Sequence, residues 1–388
     1  MIYNIGIDIS KYKHDFCIIS NTGEIIVDNK TFQNNQKGFQ QFLDTLKSYD
    51  KSNVHIAFEA TGHYTMNLEH FLLNNDYTFI KFNPLIIKEF MKSQSLRKTK
   101  TDKADAIIIC QKLMSIPYVP NSSKLYHISS LKSLCRLRDS YIRNRTKIMI
   151  QITNILDITF PEYKPFFNNK ISTTFIYILD KYKNIEHITL MKDFDSISNI
   201  SRGRFSYAQF TKLKQLAKES VGYHNDDLDY ILNSSISIYN DLNKEIDLIE
   251  SKISTIIKEL NPHMLTIPGI GDITAAIILS EFEDISKFSS PDKMLAFAGL
   301  EPGIIQSGTL EFQGKMVKRG SSMLRFTLMN AARSVVRYNS TFYDYYYEKH
   351  YNQNKPYRVA LSHVCKKLVR VIYTLETKHI DFDSSLLK

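Results

Sequence analysis

The chain has 388 residues, 43% of them hydrophobic, and its 50 Lys and Arg against 40 Asp and Glu give a net charge of +10. This length predicts two or three domains, and the apolar content excludes general disorder. The positive charge indicates a polyanionic partner such as nucleic acid, although a bias towards Lys, Asn, Ile and Tyr is an alternative cause.

The cysteines and the N-terminus bear on the cellular compartment. Cys17, Cys110, Cys135 and Cys365 form no CxxC pair, which predicts buried thiols rather than disulfides or a zinc site. Asp8 comes too early for a signal peptide. No apolar run reaches the roughly 18 residues of a membrane span. We therefore expect a cytoplasmic protein without membrane association.

The first part of the chain, residues 1–122, predicts an α/β domain. In chain order its patterns predict three strands, a helix, a strand, a helix, a strand and a helix, at residues 3–9, 15–20, 24–28, 39–46, 54–59, 68–73, 77–82 and 84–91. This order is that of the ribonuclease H-like fold, which places acids at strand ends and on a late helix. Pro117 and Pro120 close the domain.

Four carboxylates in this domain form a candidate metal site. Asp8 interrupts an apolar run, and Glu59 ends the apolar run 54–58. Asp102 and Asp105 are three apart, which places them on one face of a helix. Acids beside strand cores are costly unless a cation compensates them, and carboxylate oxygens are ligands that Mg²⁺ prefers. The pattern predicts a Mg²⁺ site, which Mn²⁺ can also occupy.

A basic segment adjoins these acids and contains Arg97, Lys98, Lys100 and Lys103. Its cations would hold a nucleic-acid phosphate beside the metal site. A flexible basic loop without that role is the alternative.

The middle of the chain, residues 123–260, predicts long helices with heptad spacing. The apolar positions repeat at Leu134, Tyr141, Ile148 and Ile155, and again at Leu242, Ile246, Ile249, Ile253, Ile256 and Leu260. An intramolecular helical hairpin and an intermolecular coiled coil both fit this pattern. Residues 168–226 predict no particular element.

The last part, residues 261–388, predicts a mainly helical domain that begins with a helix-hairpin-helix at 265–276. There Gly269 and Gly271 would leave backbone N–H groups exposed, and these groups can bind a DNA phosphate independently of the base sequence. An ordinary tight turn between packed helices is the alternative. Residues 312–343 contain no acid, so their cations predict a phosphate-binding surface: Lys315, Lys318, Arg319, Arg325, Arg333 and Arg337.

Ser307 precedes this basic stretch, within Gln306-Ser307-Gly308. On spacing alone it is a turn serine. A serine nucleophile requires activation, and no histidine base stands nearby in the sequence.

Taken jointly, these motifs resemble a known family. Asp8, the segment Phe58-Glu59-Ala60-Thr61-Gly62, Lys100-Thr101-Asp102 and Asp105-Ala106 resemble a DEDD-class insertion-sequence transposase, of the bridge-RNA-guided recombinases. The C-terminal half agrees through residues 267–271, 298–302, 306–308 and 318–325.

The resemblance implies a RuvC-like N-terminal domain whose metal-binding residues are Asp8, Glu59, Asp102 and Asp105. It also implies a C-terminal transposase domain whose nucleophile is Ser307, and an active site that is shared between the protomers of a dimer or tetramer. The implied substrate is double-stranded DNA of the element ends and the target, and the implied partner is a noncoding guide RNA. Ser321-Ser322 departs from the family, which commonly has Asn or Asp after the glycine.

Three other functions compete with strand exchange. The first is a metal-dependent junction endonuclease that hydrolyses DNA without a covalent serine step. The second is a non-catalytic protein that binds DNA structures. The third, a structural coiled-coil protein, fits least because the heptads occupy a small share of the chain.

Overall fold

The computed structural model describes residues 1–388 apart from 61, 95–101, 121–124, 224, 308–309, 319 and 387–388. The side chains of residues 63, 94, 102–104, 125–127, 302–315 and 386 also lie outside that description. The chain divides into two compact units, Met1–Ile128 and Ser129–Lys388. Within the described ranges, no helix combines the length and apolar content that crossing a membrane requires.

The first unit contains the predicted sequence of strands and helices. Its elements are β1 (Tyr3–Ile9), β2 (Lys13–Ser20), β3 (Ile25–Gln33), α1 (Gln36–Leu46), β4 (Val54–Glu59), α2 (Met66–Asn74), β5 (Phe79–Phe82), α3 (Pro84–Gln94) and α4 (Asp102–Met114). The predicted order is confirmed. The third strand runs five residues past its predicted end at 28, because its pairing with β2 continues to Gln33.

The strands form one mixed sheet in the order β3-β2-β1-β4-β5. β1 pairs antiparallel with β2 and parallel with β4, and β4 pairs parallel with β5. This arrangement is consistent with the predicted ribonuclease H-like fold.

Side chains alternate between the two faces of this sheet. One face carries Ile5, Ile7 and Phe58, which pack with the buried side chains of α1 and α2. The other face carries Gly6 and Ala57, which lie under α4. We call this second side the α4 face, and it consists of Asn4, Gly6, Asp8, Asp15, Cys17, Ile19, Ala57 and Glu59.

The second unit is mainly helical, with one two-stranded hairpin. Its elements are α5 (Leu125–Thr159, which begins in the first unit), α6 (Tyr163–Phe166), α7 (Thr173–Tyr182), α8 (Ile185–Thr189), α9 (Phe194–Ile200), α10 (Tyr207–Glu219), α11 (Asp226–Leu260), α12 (Asp272–Phe282), α13 (Pro291–Ala298), β6 (Pro302–Ser307), β7 (Leu310–Met316), α14 (Ser322–Tyr338), α15 (Ser340–Tyr347) and α16 (Tyr357–Lys378). A π-helical turn, Glu348–Asn352, follows α15.

The two 35-residue helices α5 and α11 form an antiparallel intramolecular hairpin. Arg138 Nη2 lies 2.6 Å from Glu250 Oε1, and Arg145 donates to Asn243 Oδ1 over 2.8 Å. The step from Arg138 to Arg145 runs seven residues forward along α5, while the step between their partners, from Glu250 to Asn243, runs seven residues back along α11. The two helices are therefore antiparallel. The heptad positions supply the seam, and Ile253 is fully buried there. Of the two predicted arrangements, the structure contains the intramolecular one.

The rest of the second unit packs into two cores. Residues 168–226, where no element was predicted, form α7 to α10, which close a core around Phe175 and Leu213. The other core lies among α12, α13, α14 and α16. All four cysteines are free and buried, which confirms the prediction of buried thiols.

Candidate metal and nucleic-acid sites

Asp8 and Glu59 lie side by side at the carboxyl ends of two neighbouring strands. β1 and β4 are parallel, with Ile7 opposite Phe58, and one further step places Asp8 beside Glu59. Both side chains point to the α4 face, since Ile7 and Phe58 are in the core on the other side. Each carboxylate is half-buried. The register thus brings two of the four predicted acids together.

The direction of α4 brings its first turn to the same strand ends. Cys110, in the middle of α4, donates its thiol hydrogen to the carbonyl of Asn4 over 3.2 Å, and the C-terminal end of α4 lines a cavity with Ile2. The helix therefore runs antiparallel to β1. Its N-terminal turn, which begins at Asp102 and contains the half-buried Asp105, points towards Asp8. The side chain of Asp102 lies outside the described residues.

Gly6 allows α4 to rest directly on β1. A Cβ atom at this position would lie 2.3 Å from the carbonyl oxygen of Ala106 and 2.6 Å from the backbone nitrogen of Cys110. The Sγ atoms of Cys17 and Cys110 are 3.0 Å apart beneath the helix. Burial, followed by the contact with Cys17, raises the pKa of the Cys110 thiol, so it is neutral. The helix is thus positioned by backbone contact and small neutral groups.

If these acids act in strand exchange, as the resemblance implies, Gly6→Ala is expected to impair that reaction more than its cost in stability explains. The added methyl group must push α4 away from β1, which displaces Asp105 relative to Asp8. We expect a loss of about 1–3 kcal/mol in the free energy of unfolding from overpacking, and a fall of about 10²-fold in strand exchange from misplacement of the acids. Chemical denaturation and a recombination assay measure the two effects.

Gly23→Ala is the matched control. Gly23 is in the β2–β3 turn with φ +91°, where an added Cβ meets no atom within 4 Å. The strained backbone costs stability there without moving α4, so strand exchange should persist. Equal strand exchange by Gly6→Ala and Gly23→Ala at matched folded fractions would contradict the positioning role of Gly6.

Asp15 is a fifth acid on this side that the sequence analysis did not single out. It lies directly opposite Asp8 across the β1–β2 pair and is only 3% exposed. Lys13 Nζ is 3.1 Å from its carboxylate, and the hydroxyl of Thr31 donates to it. The charged residues Lys13 and Asp15, two positions apart just before the apolar run that begins at Phe16, were the available signal. Because Asp15 already has a cation and a hydroxyl donor as partners, we regard it as a neighbour of the predicted metal ligands rather than as one of them.

The residue types at this edge fit a hard divalent cation. Asp8, Glu59 and Asp105 are carboxylates, whose oxygens Mg²⁺ and Mn²⁺ prefer, and Asp102 has the same residue type in the same turn of α4. Among the side chains that the structure describes, which omit Asp102, no three His, Cys, Asp or Glu are grouped closely enough to hold an ion. The fit therefore rests on the donor chemistry and the strand register.

The predicted basic segment beside the acids is described only in small part. Arg97, Lys98 and Lys100 lie outside the described residues, and Lys103 is described only as part of the backbone of α4. Its predicted phosphate contact stays a prediction.

Ser307 ends β6, opposite Leu310 of β7. Gly308 and Thr309, which connect the strands, lie outside the described residues, as does the side chain of Ser307. The sequence prediction of a turn serine agrees with this place at the end of a hairpin strand.

The predicted C-terminal phosphate-binding residues differ in their surroundings. Lys318 is exposed, while the side chain of Lys315 and the whole of Arg319 lie outside the description. Arg325 is half-buried, and its guanidinium donates to the carbonyl of Gly320 over 3.2 Å. Arg333 is exposed and donates to the hydroxyl of Tyr357 over 3.1 Å.

The predicted helix-hairpin-helix is a short 3-10 turn, His263–Thr266, followed by α12. Gly269 has φ +101°, and a Cβ there would lie 3.0 Å from the backbone of Ser334 and Val335. Close packing against α14 therefore accounts for Gly269. Gly271 is the exposed N-cap of α12, without a side-chain cap, so its end of the turn is accessible to a phosphate.

Two family models match this chain. Residues 5–161 match a DEDD-type IS110 domain described as a transposase. Residues 261–347 match the transposase IS116/IS110/IS902 family. The first match spans the acid-bearing sheet and α4, and the second spans Ser307 and the basic stretch.

The curated relatives agree with these matches. The chain is 25% identical to the pilin gene-inverting proteins of Moraxella bovis and Moraxella lacunata, over 98% of each chain. It is also 23% identical to the transposase for insertion sequence element IS1111A of Coxiella burnetii, over 86% of this chain and 78% of the relative.

Proposed function

Because the chain is a member of the IS110 family of transposases, we propose that it cuts and rejoins DNA with a carboxylate site and a serine. The carboxylates are Asp8, Glu59, Asp102 and Asp105, and the serine is Ser307. The observation that carries the proposal is the register that places Asp8 beside Glu59 under the first turn of α4.

The four carboxylates would hold a divalent cation at the edge of the sheet. When bound, Mg²⁺ or Mn²⁺ would supply Lewis-acid chemistry for the scissile phosphate. Asp8 and Glu59 come from neighbouring hydrogen-bonded strands, so their oxygens are held in place before DNA binds. Asp102 and Asp105 lie at a helix N-terminus, where the helix dipole favours their negative charge.

Ser307 would make the covalent step. Its Oγ forms a bond to phosphorus while one bond from phosphorus to a deoxyribose oxygen breaks. The serine proton leaves to water, and the departing oxygen takes up a proton to become a hydroxyl. Attack by a hydroxyl of another strand reverses these changes, rejoins the DNA and frees the serine. Cations near the site would stabilise the charge on the phosphate oxygens.

The partners follow from the same proposal. The substrate is double-stranded DNA at the ends of a mobile element and at its target. We extend the proposal to a noncoding RNA of the element as guide, and to a homodimer or homotetramer in which the acids of one protomer act with Ser307 of another. The family resemblance supports both extensions.

A recombination assay tests the proposal. The DNA that flanks the gene supplies the element ends and any structured noncoding segment, and the purified chain is incubated with that DNA, the RNA and a target plasmid. We expect recombinant junctions in Mg²⁺ or Mn²⁺ and none in EDTA. Nicked or cleaved DNA without rejoined strands would indicate an endonuclease. Binding without any DNA product under all these conditions would refute the proposal.

A further inference from the structure

We propose that a pocket beside the N-terminus of α14 binds a backbone phosphodiester of a nucleic acid. The pocket has a volume of about 440 Å³ and lies within the second unit, and its lining includes Lys132, Arg136, Arg143, Ser321, Ser322 and Met323. We call it the α14 pocket. This inference rests on the proposed function in that the chain must bind nucleic acid, and it adds a site away from the acids and Ser307.

Backbone donors of α14 form one side of the pocket. Ser321 is the N-cap, and its hydroxyl accepts from the backbone N–H of Leu324 over 3.2 Å. The first N–H groups, those of Ser322 and Met323, have no acceptor within the helix. Both residues line the pocket, and the 17-residue helix adds the positive end of its dipole.

Arg136 also lines the pocket and is held in place by a buried acid. Its Nε and Nη2 both donate to Glu281 Oε1 over 3.2 Å. The side chain of Glu281 is 4% exposed, whereas that of Arg136 is 59% exposed. A guanidinium has five N–H donors, so Arg136 keeps donors for a ligand while Glu281 fixes its orientation. A preorganised guanidinium of this kind loses little freedom when it binds phosphate oxygens.

The other two cations of the pocket are each paired with an acid. Lys132 Nζ is 2.8 Å from Glu283, and Arg143 Nε is 2.8 Å from Asp139 on the same helix. The Arg143 pair is exposed and therefore weak, so it yields readily to a stronger anion. With Glu283 included, three carboxylates balance the three cations Lys132, Arg136 and Arg143, so the pocket would attract a phosphate through its directed N–H donors rather than through an excess of charge.

This combination of donors fits a phosphodiester. Guanidinium groups and helix N-terminal N–H groups both bind phosphate oxygens, and neither reads a base. A polynucleotide backbone also suits a pocket whose cations are largely exposed, because further phosphates can lie along α5. DNA and RNA offer the same group, so the chemistry of the pocket accepts either one.

Binding without catalysis tests the pocket. The full-length chain is titrated in EDTA against a labelled DNA duplex of the element end and, separately, against the structured RNA transcribed beside the gene, with fluorescence anisotropy as the readout. We expect Arg136→Gln to weaken binding about tenfold and to reduce the salt slope by about 1. The nucleic acid whose affinity falls is the one that occupies the pocket, and a fall for both shows that both use it.

Two further variants make the result unambiguous. Arg136→Gln leaves Glu281 without its cation, so Ser322→Glu serves as a second variant. It puts a carboxylate at the exposed first position of α14, which the helix dipole favours, and should weaken binding about tenfold while the melting temperature is kept. Arg370→Gln is the matched control, because Arg370 is 58% exposed and paired with exposed Asp292 over 3.1 Å.

The outcomes separate this inference from the proposed function. If folded Ser322→Glu binds both nucleic acids with the affinity and salt slope of the unmodified chain, the pocket is overturned. The same holds if Arg370→Gln weakens binding as much as the pocket variants. Neither result alters the recombination test, which depends on the acids and Ser307. Conversely, a chain without recombination activity can still show the loss of binding.

Discussion

Asp8→Asn is expected to reduce strand exchange by about 10³-fold or more, because it removes a charge and a hard oxygen ligand from the carboxylate site. The amide has nearly the same shape, so the β1–β4 register stays intact. Rates of recombinant junction formation in Mg²⁺, measured by quantitative PCR, give the effect. Asp102→Asn and Glu59→Gln are expected to lose activity to a similar extent.

The thermal stability of Asp8→Asn, in contrast to its activity, is expected to stay the same or rise slightly. Asp8 faces Asp15 across the β1–β2 pair, and like charges directly opposite each other destabilise a sheet. We therefore expect the melting temperature of Asp8→Asn to be equal to or slightly above that of the unmodified chain, with DNA binding in EDTA unchanged. Asp44→Asn is the control, because Asp44 is 60% exposed on α1 and should keep full activity. A near-normal rate for Asp8→Asn would show that the metal-site assignment is wrong.

Ser307→Ala is expected to abolish both strand exchange and the covalent protein–DNA adduct. The variant loses the only oxygen that the proposed step joins to phosphorus, so no slower route to the adduct remains. Denaturing gels of reactions with labelled DNA measure the adduct, and anisotropy checks that DNA still binds. Ser340→Ala, at the exposed start of α15, is the control.

The same variant separates the competing reactions. An endonuclease that uses activated water would keep cutting DNA after Ser307→Ala and would still require the carboxylates. A mixture of inactive Asp8→Asn and Ser307→Ala chains tests the shared site. If acids and serine act from different protomers, mixed oligomers contain an intact pair and regain activity. If they act within one protomer, the mixture stays inactive.

The strands of the sheet could be predicted because the patterns that indicate a strand lie within a few neighbouring residues. Alternation along β1 and β4 determines which side chains point together, and the parallel pairing then brings Asp8 beside Glu59. Sequence patterns did not give the direction of α4 or its contact with Gly6, since both depend on residues more than ninety positions apart. The environment of Asp15 was missed because its donor Thr31 comes from the paired strand β3.

The helices of the second unit show where local patterns weaken. Ser206 and Gln209 form a capping box at the start of α10, a signal that the sequence contained. The neighbouring α8 and α9 have five and seven residues, too few to show a helical period. α8 packs against α7 and α10, and α9 packs against α7, so tertiary contact rather than local pattern determines them.

The contact at Gly6 also separates two kinds of sequence change. On the α4 face, the distance between helix and strand is fixed by backbone atoms of Ala106 and Cys110. The opposite face carries Phe58, which lies in one apolar core with Phe42 of α1 and other large side chains. We expect this core to tolerate repacking or stabilising substitution without a change in the spacing of the carboxylates. The first unit can therefore drift, or be engineered, on one side of its sheet while the chemistry on the other side stays the same.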